Sequence, residues 1–247
     1  MKRTLIISDI HLRWKLVDNI INEESPDEII FLGDYFDDFG DNAVLNLKMA
    51  EWLVNSLEQP NRIHIMGNHD IMYATRDRKY RCSGYSEDKE YFINTVMTQD
   101  HWKQLKMYHW LDDVLCSHAG VHKHFHDQNS ANGRDLKTWL EQESKIALAH
   151  AFDRRVQIHE MFHISRCRGG NQLYGGIVWC DFKEFVGIPG VKQIFGHTPQ
   201  QKPMWKNYGS GTEESINLCL DTHNRDYVIY SNSKLDIKSS IDINRWK

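Results

Sequence analysis

One pattern recurs along this chain: a short apolar segment rich in β-branched residues stops at a glycine or a polar residue, and side chains able to bind a metal follow at once. The stretch RIHIMGNHD at positions 62–70 shows it most plainly, because Asn68, His69 and Asp70 come directly after Gly67. Such a run predicts a buried strand that ends in a polar loop. Gly-Asn alone is a common turn dipeptide, so the recurrence of the pattern at other strand ends is what indicates a chemical site.

Strands and helices alternate through the first third of the sequence. The predicted strands cover 4–7, 28–32 and 62–66, and the predicted helices cover 14–23 and 42–57. Pro26 and Pro60 follow the two helices, as is typical of helix ends. This order favours parallel strands joined by right-handed crossovers, which place a functional site beyond the carboxyl ends of the strands.

The rest of the chain predicts further elements of the same kind. Segment 71–106 is predicted to pass over the site and to contain a helix at 87–97. Two further strands, each followed by a histidine, are predicted within 114–120 and 193–199. We predict a helix at 135–152, helical cover continuing to Cys167, a flexible basic loop at 166–170, and antiparallel strands at 215–220, 227–231 and 234–238. Since no linker or repeat interrupts the chain, we predict a single domain over 1–247.

Composition narrows the classes of function. The formal net charge is -4 and no long run of like charges occurs, which argues against an extended nucleic-acid surface or binding to an anionic membrane. The five cysteines form no Cys-x-x-Cys pair, so we expect reduced thiols in a cytoplasmic protein. The first apolar segment is too short for a signal peptide, and no stretch is long enough to span a membrane.

Carboxylates, imidazoles and one amide directly follow the predicted strands. They are Asp9, His11, Asp34, Asp37, Asn68, His69, His118 and His197. Oxygen and imidazole ligands without thiolate suit ions such as manganese, iron or zinc. This many ligands fits a site for two metal ions, and Asp34 is best placed by chain order to bridge them.

The motifs that carry these residues are DIH at 9–11, GDYFD at 33–37, GNHD at 67–70, SHAG at 117–120 and GHT at 196–198. In their order and position they resemble the motifs of the calcineurin-like metallophosphoesterases. The resemblance implies an α/β fold, a four-layer αββα sandwich with helical insertions, and two divalent metal ions. Manganese is the expected metal, with iron, zinc, nickel, cobalt or magnesium as alternatives.

The resemblance also implies a role for each residue. Asp9, His11 and Asp34 would bind one metal; Asp34, Asn68, His118 and His197 would bind the other, and Asn68 would also contact phosphate. Two cations lower the pKa of a shared water, which then attacks phosphorus without a covalent nucleophile. His69 would protonate the leaving oxygen, and Asp37 would orient and charge His69.

Departures from the family motifs bear on the substrate. Pro199 stands where many phosphodiesterases of this fold have a second histidine, which makes the chain more similar to phosphoprotein phosphatases, diadenosine tetraphosphate hydrolases and bacteriophage phosphatases. The segment IVWCD at 177–181 resembles a Trp-Ser-Asp segment of the phosphoprotein phosphatases. Asp38, however, replaces their phosphate-binding arginine. Arg168 is a candidate substitute because a guanidinium can hold two phosphoryl oxygens, and Arg166 is its competitor.

We therefore predict a phosphomonoesterase similar to the serine/threonine protein phosphatases, with a phosphoprotein or nucleotide as its phosphorylated partner. The alternative is a nucleotide hydrolase, of the diadenosine tetraphosphate type or a nucleotide or polynucleotide phosphatase or phosphodiesterase. A more remote alternative is a non-catalytic binding scaffold of the same fold. Histidines outside the motifs are interpreted as structural: His64 as packed in its strand, and His122, His124 and His126 as part of a polar loop.

Overall fold

The strands of this protein assemble into two five-stranded sheets. The computed structural model describes residues 2–130 and 133–241. The strands are β1 (Thr4–Ile7), β2 (Glu28–Phe31), β3 (Arg62–His64), β4 (Tyr108–Leu111), β5 (Val114–Ser117), β6 (Lys192–Phe195), β7 (Met204–Tyr208), β8 (Ser215–Cys219), β9 (Asp226–Ser231) and β10 (Lys234–Ser239). The helices are α1 (Trp14–Glu24), α2 (Ala43–Leu57), α3 (Asn68–Thr75), α4 (Glu87–Val96), α5 (Gln99–Trp102), α6 (Lys123–Ser130) and α7 (Leu136–Phe152).

Both sheets are mixed, with a parallel part that carries the polar strand ends. The first has the order β10-β9-β1-β2-β3, in which β1, β2 and β3 are parallel. The second has the order β4-β5-β6-β8-β7, in which β5, β6 and β8 are parallel and the edge strands β4 and β7 are antiparallel. The carboxyl ends of five parallel strands therefore supply the predicted motifs.

Alternating side chains along the strands build separate apolar layers. Ile6, Ile30 and Leu218 belong to the buried cluster between the two sheets. Leu5 and Ile7, which alternate with Ile6, belong instead to the cluster that includes residues of α1 and α2. The sequence pattern of β1 and β2 is thus apolar throughout because both of their faces are covered.

The outer face of the second sheet is covered in two ways. Phe195 and Cys219 share a buried cluster with Phe182 and Phe185 of the segment before β6. Leu115 of β5 lies in the same large cluster as Trp139 of α7. The predicted four-layer αββα sandwich is confirmed, with helical insertions after β3 and β5. Among the described residues, no helix combines the length and apolar character that crossing a membrane requires.

Several sequence predictions need correction. The predicted helical cover up to Cys167 is wrong, because residues 153–167 contain only the 3₁₀ turns Glu160–Phe162 and Arg166–Arg168. Close backbone packing positions this segment, and a regular helix does not: a Cβ at Gly176 would lie only 2.2 Å from the carbonyl oxygen of Met161. The prediction of antiparallel strands is confirmed for β9 and β10, whereas β8 is antiparallel to β7 but parallel to β6. The edge strands β4 and β7 were missed.

Candidate metal centre and active site

The polar residues that follow the strands meet at one edge of the sandwich. Backbone hydrogen bonds tie the loops together: the His11 N–H donates to the Asp34 carbonyl at 2.8 Å, and the Gly196 N–H donates to the His118 carbonyl at 2.7 Å. The His197 N–H donates to the Asp9 carboxylate, 2.9 Å from Oδ1 and 3.1 Å from Oδ2. These bonds join loops of both sheets, so the site spans the two halves of the fold.

Four of the predicted site residues have left-handed backbones. The φ angles are +41° at His11, +50° at Asp34, +64° at Asp37 and +68° at His197. A left-handed backbone conformation costs a non-glycine residue about 1–3 kcal/mol, and residues under such strain are concentrated at functional sites. The loops therefore adopt geometries that local backbone preference alone would not select.

Two glycines let the carboxylates approach the neighbouring backbone. A Cβ at Gly67 would lie 2.1 Å from Asp34 Oδ1, and a Cβ at Gly196 would lie 1.8 Å from Asp9 Oδ2. No ordinary side chain fits at such distances. The glycines of the GNHD and GHT motifs are thus required by the positions of the two carboxylates.

The first group of potential metal ligands contains Asp9, His11 and Asp34. One donor atom of each lies within 4.8 Å of the others. His11 Nδ1 lies 3.0 Å from the Phe36 carbonyl and 2.7 Å from the Asp37 carbonyl, which places its proton on Nδ1. Its Nε2 lone pair is then free to bind a cation, 3.8 Å from Asp34 Oδ2.

The second group contains Asp34, His118 and His197, with Asn68 beside them. His118 Nδ1 lies 2.9 Å from the Leu32 carbonyl and donates to it, so the lone pair of His118 is on Nε2. That nitrogen lies 3.4 Å from Asp34 Oδ2, 3.0 Å from Asn68 Oδ1 and 3.2 Å from His197 Nδ1. Asp34 is common to both candidate groups.

The convergence of these atoms fits a pair of cations. The His118 lone pair and the Asn68 and Asp34 oxygens are all electron-rich, and they repel one another unless a positive charge lies between them. Burial lowers the pKa of His118, and burial together with His118 lowers that of His197 well below its usual value, so both rings are neutral, as metal ligands must be. Burial and then Asp221 raise the pKa of Asp9, a penalty that a bound cation removes.

His69 differs electrostatically from the ligand histidines. Its Nδ1 lies 2.9 Å from Asp37 Oδ2. Burial alone would lower the pKa of His69, but the charge of Asp34 and the hydrogen bond with Asp37 raise it well above its usual value. The site therefore separates neutral imidazoles that can bind metal from one imidazolium that can give up a proton.

The family model of the calcineurin-like phosphoesterases matches residues 2–201. This chain belongs to that family. It is accordingly a hydrolase of phosphate esters. The family depends on two metal ions, and the two groups of candidate ligands around Asp34 fit that requirement. No protein of curated function matches it.

Solved structures similar to this phosphoesterase confirm the fold. The cold-active protein-tyrosine phosphatase of a psychrophilic Shewanella species has a TM-score of 0.60 at 15% identity, and the match covers 97% of this chain and 78% of that one. A point mutant of a cold-active protein tyrosine phosphatase has a TM-score of 0.58 at 14% identity, with 97% and 78% covered.

A cavity of about 460 Å³ gives access to the two candidate ligand groups of the phosphoesterase. Its walls include Phe39, Arg168, Trp179 and Pro199, and the side chain of Phe39 is fully exposed. Asp38 also lines the cavity and pairs with Arg13 at 2.9 Å. The carboxylate at this position is therefore already paired with a cation.

Arg168 reaches the cavity, whereas its competitor Arg166 lies exposed on the 3₁₀ turn. Arg168 Nε lies 2.7 Å from Asp181 Oδ2, and Nη2 donates to Thr198 Oγ1 at 2.9 Å and to the His197 carbonyl at 3.2 Å. These contacts fix the guanidinium beside the second ligand group. Within the described ranges, no residue accepts a hydrogen bond from Nη1, which leaves that nitrogen available to a ligand.

The sequence prediction missed three residues that support the site: Asp70 as an organiser of the loops, and Tyr73 and Lys89 as partners of Asp37. For Asp70 a signal existed, because an acid three residues after Gly67 can cap the helix that begins at Asn68. For Tyr73 and Lys89 there was none, since only the tertiary fold brings them to Asp37.

The other histidines have structural contacts. His64 is buried between the Tyr35 hydroxyl and Ser56 Oγ, as predicted. The polar loop predicted at 122–126 is wrong, because residues from Lys123 form α6; His122 stacks on Tyr174 with ring centroids 4.2 Å apart. His159 lies 3.1 Å from Glu143. None of these belongs to the two metal-ligand groups found among the described residues.

Proposed function

We propose that this phosphoesterase hydrolyses phosphomonoesters of proteins, as the serine/threonine phosphatases do, with manganese as its metal. The observation that carries the proposal is the position of Asp34, whose Oδ2 lies 3.8 Å from His11 Nε2 and 3.4 Å from His118 Nε2. A single carboxylate oxygen between two ligand groups suits two neighbouring ions. When bound, such ions activate a shared water as hydroxide for attack on phosphorus and offset phosphoryl charge.

The side chains around the ions would bind and orient the ester. Arg168 Nη1 and the Asn68 amide would hold the phosphoryl oxygens, because both line the cavity beside the second ligand group. His69 would donate its proton to the leaving oxygen, and Asp37 would keep the His69 ring charged and oriented. A phosphomonoester carries one ester group on phosphorus, whereas a diester carries two. The cavity therefore has to accommodate only one organic group.

Pro199 supports a monoester over a diester. It lines the cavity at the position where many phosphodiesterases of this fold have a metal-binding histidine. The exposed ring of Phe39 at the cavity wall provides an apolar contact for a leaving group larger than a hydroxyl. The Shewanella relative is named a protein-tyrosine phosphatase, and its likeness concerns the fold, so both tyrosine and serine esters belong in the test.

The test is a substrate panel assayed with added manganese. It contains phosphoserine, phosphothreonine and phosphotyrosine peptides, mononucleotides, dinucleoside polyphosphates, cyclic nucleotides and a bis-nitrophenyl diester. We expect the phosphopeptides to have the highest kcat/KM and the diesters to be the poorest substrates. Preferred hydrolysis of diesters or dinucleoside polyphosphates would contradict the proposal.

Reconstitution of the metal-free protein with manganese, iron, zinc and magnesium in turn tests which metal it uses. We expect manganese to give the highest rate.

The proposed setting is the reducing cytoplasm. All five cysteines are free thiols, and Cys167 is exposed on the surface. An exposed thiol is oxidised or paired more readily outside a reducing compartment. Cell fractionation with an antibody to the protein tests this part of the proposal, and recovery outside the cytoplasmic fraction would contradict it.

A further inference from the structure

Helix α4 lies outside both sheets, in the insertion that follows β3, yet one of its side chains reaches the active site. Lys89 is only 7% exposed. Its Nζ lies 2.8 Å from Asp37 Oδ1, 2.7 Å from Asp41 Oδ1 and 2.7 Å from the Gly84 carbonyl. The three acceptors match the three N–H donors of an ammonium group, so its hydrogen-bonding capacity is filled.

The Asp37 carboxylate has different partners on its two oxygens. Oδ1 accepts hydrogen bonds from Lys89 Nζ and from the Tyr73 hydroxyl, both at 2.8 Å. Oδ2 lies 2.9 Å from His69 Nδ1. With Oδ1 held by two donors, the carboxylate cannot rotate without losing them, and Oδ2 stays directed at the imidazole.

The second acid at Lys89 belongs to the same loop as Asp37. Asn46 Nδ2 donates to Asp41 Oδ2 at 2.6 Å, and Asn46 Oδ1 accepts from the Asp37 N–H at 3.2 Å. The loop after β2 is thus held from α2 by Asn46 and from α4 by Lys89. These contacts fix the Asp37 backbone as well as its carboxylate.

We propose that Lys89 is a positioning residue for phosphoester hydrolysis: its ammonium group fixes the Asp37 carboxylate, which in turn directs the His69 ring at the leaving oxygen. The inference rests on the proposed role of His69 as proton donor. The competing explanation is that Lys89 only fastens the insertion to the domain. Burying an ion pair contributes little net stability compared with apolar packing, so fastening alone is a weak reason for a buried ammonium group.

The two explanations predict different kinetics. If Lys89 acts through His69, its loss slows the step in which the leaving oxygen takes up a proton. That step matters for alkyl and phenyl phosphates, whose leaving groups are poor, and little for nitrophenyl phosphate. If Lys89 only fastens the insertion, a variant that is folded slows all esters alike.

The experiment compares Lys89→Met and Lys89→Arg with His69→Asn, and with Lys79→Met as the matched control. Lys79 pairs with Asp77 at 3.1 Å, away from both ligand groups. We expect Lys89→Met to lower kcat for phenyl phosphate on the order of tenfold to a hundredfold, which is part of the roughly 10²- to 10⁴-fold that general acid catalysis supplies, because His69 itself is still present. The same variant should lower kcat little for nitrophenyl phosphate. Lys89→Arg should restore most of the loss, and Lys79→Met should show none.

Each outcome decides the question. Equal slowing of all esters in Lys89→Met, with His69→Asn still selective for poor leaving groups, overturns the role of Lys89 and leaves that of His69 intact. Equal slowing in His69→Asn as well overturns both. Lys89→Met leaves the carboxylates of Asp37 and Asp41 without their shared cation, so the variant is tested with a second substitution if it does not fold. The double variant Lys89→Met with Asp41→Asn removes the charge of Asp41. The same leaving-group comparison then applies to it.

Discussion

The Asp70 carboxylate accepts a hydrogen bond from the backbone N–H of Asp34 at 2.9 Å. It also accepts from the N–H of Tyr35 at 2.9 Å and from that of Gly67 at 2.7 Å. One buried side chain therefore joins the loop after β2 to the loop after β3 and caps α3. The carboxylate common to both metal-ligand groups owes its position to this neighbour.

Replacing Asp70 with Asn should weaken both the fold and the metal centre. An amide nitrogen cannot accept a hydrogen bond, so one or more of the three buried N–H groups loses its partner. The expected decrease in the free energy of unfolding is about 1–3 kcal/mol. Denaturant unfolding and metal analysis after dialysis against manganese measure the two effects. Asp113→Asn is the control because Asp113 pairs with Lys192 at the surface; matching results for the two variants would contradict the role of Asp70.

Asp34→Asn should deplete both metal positions. Among the described residues, Asp34 is the one carboxylate that belongs to both candidate ligand groups, and the substitution removes its charge. Loss of another member of these groups affects a single group. We expect the metal content to fall below about one ion per chain, from about two in the parent protein, and turnover to fall with it. Elemental analysis of dialysed protein gives the ratio, and Asp38→Asn is the matched control from the cavity wall. Full metal content with normal turnover would show that Asp34 does not bridge.

The convergence of the candidate metal ligands could be predicted from sequence because parallel strands bring their carboxyl ends to one edge of a sheet. Asp9, Asp34 and His118 each follow an apolar strand, and that pattern is local. Lys89 could not be predicted in the same way. Its distance of 2.8 Å from Asp37 Oδ1 depends on how α4 packs beside α2, which no local periodicity encodes.

The missed strands have a similar cause. Met204–Tyr208 is an edge strand in which exposed side chains alternate with half-buried ones, and its polar residues resemble those of a loop. Its pairing with Ser215–Cys219 is what makes it a strand. In the same way, Arg168 could be proposed from the chemistry of its guanidinium, but only the contacts with Asp181 and Thr198 place it at the cavity.

Arg168→Ala should weaken binding of inorganic phosphate. The guanidinium is fixed by Asp181 and Thr198 beside the second ligand group, and Nη1 is available for a phosphoryl oxygen. A hydrogen bond to a charged group contributes about 1.5–3 kcal/mol, so the inhibition constant for phosphate should rise on the order of tenfold or more. Arg166→Ala, on the same turn but exposed, should leave that constant unchanged. Equal constants in the two variants would remove Arg168 from the site.

His64 should make the stability of the protein depend on pH. The ring is buried, with Nδ1 3.0 Å from the Tyr35 hydroxyl and Nε2 3.0 Å from Ser56 Oγ, and burial lowers its pKa to about 3. In the unfolded chain a histidine has a pKa of about 6.5. Between these values the unfolded state binds a proton that the folded state does not.

The contribution of His64 to stability is therefore complete above about pH 6.5 and decreases as the pH falls, by up to about 1.4 kcal/mol for each pH unit. Urea unfolding of metal-free protein at about pH 7 and about pH 5 measures it, with His64→Gln as the variant that cannot titrate. Because all other groups are common to both proteins, the difference between their slopes isolates His64. The parent should lose more stability than the variant on acidification, and equal slopes would show that His64 can be protonated inside the fold.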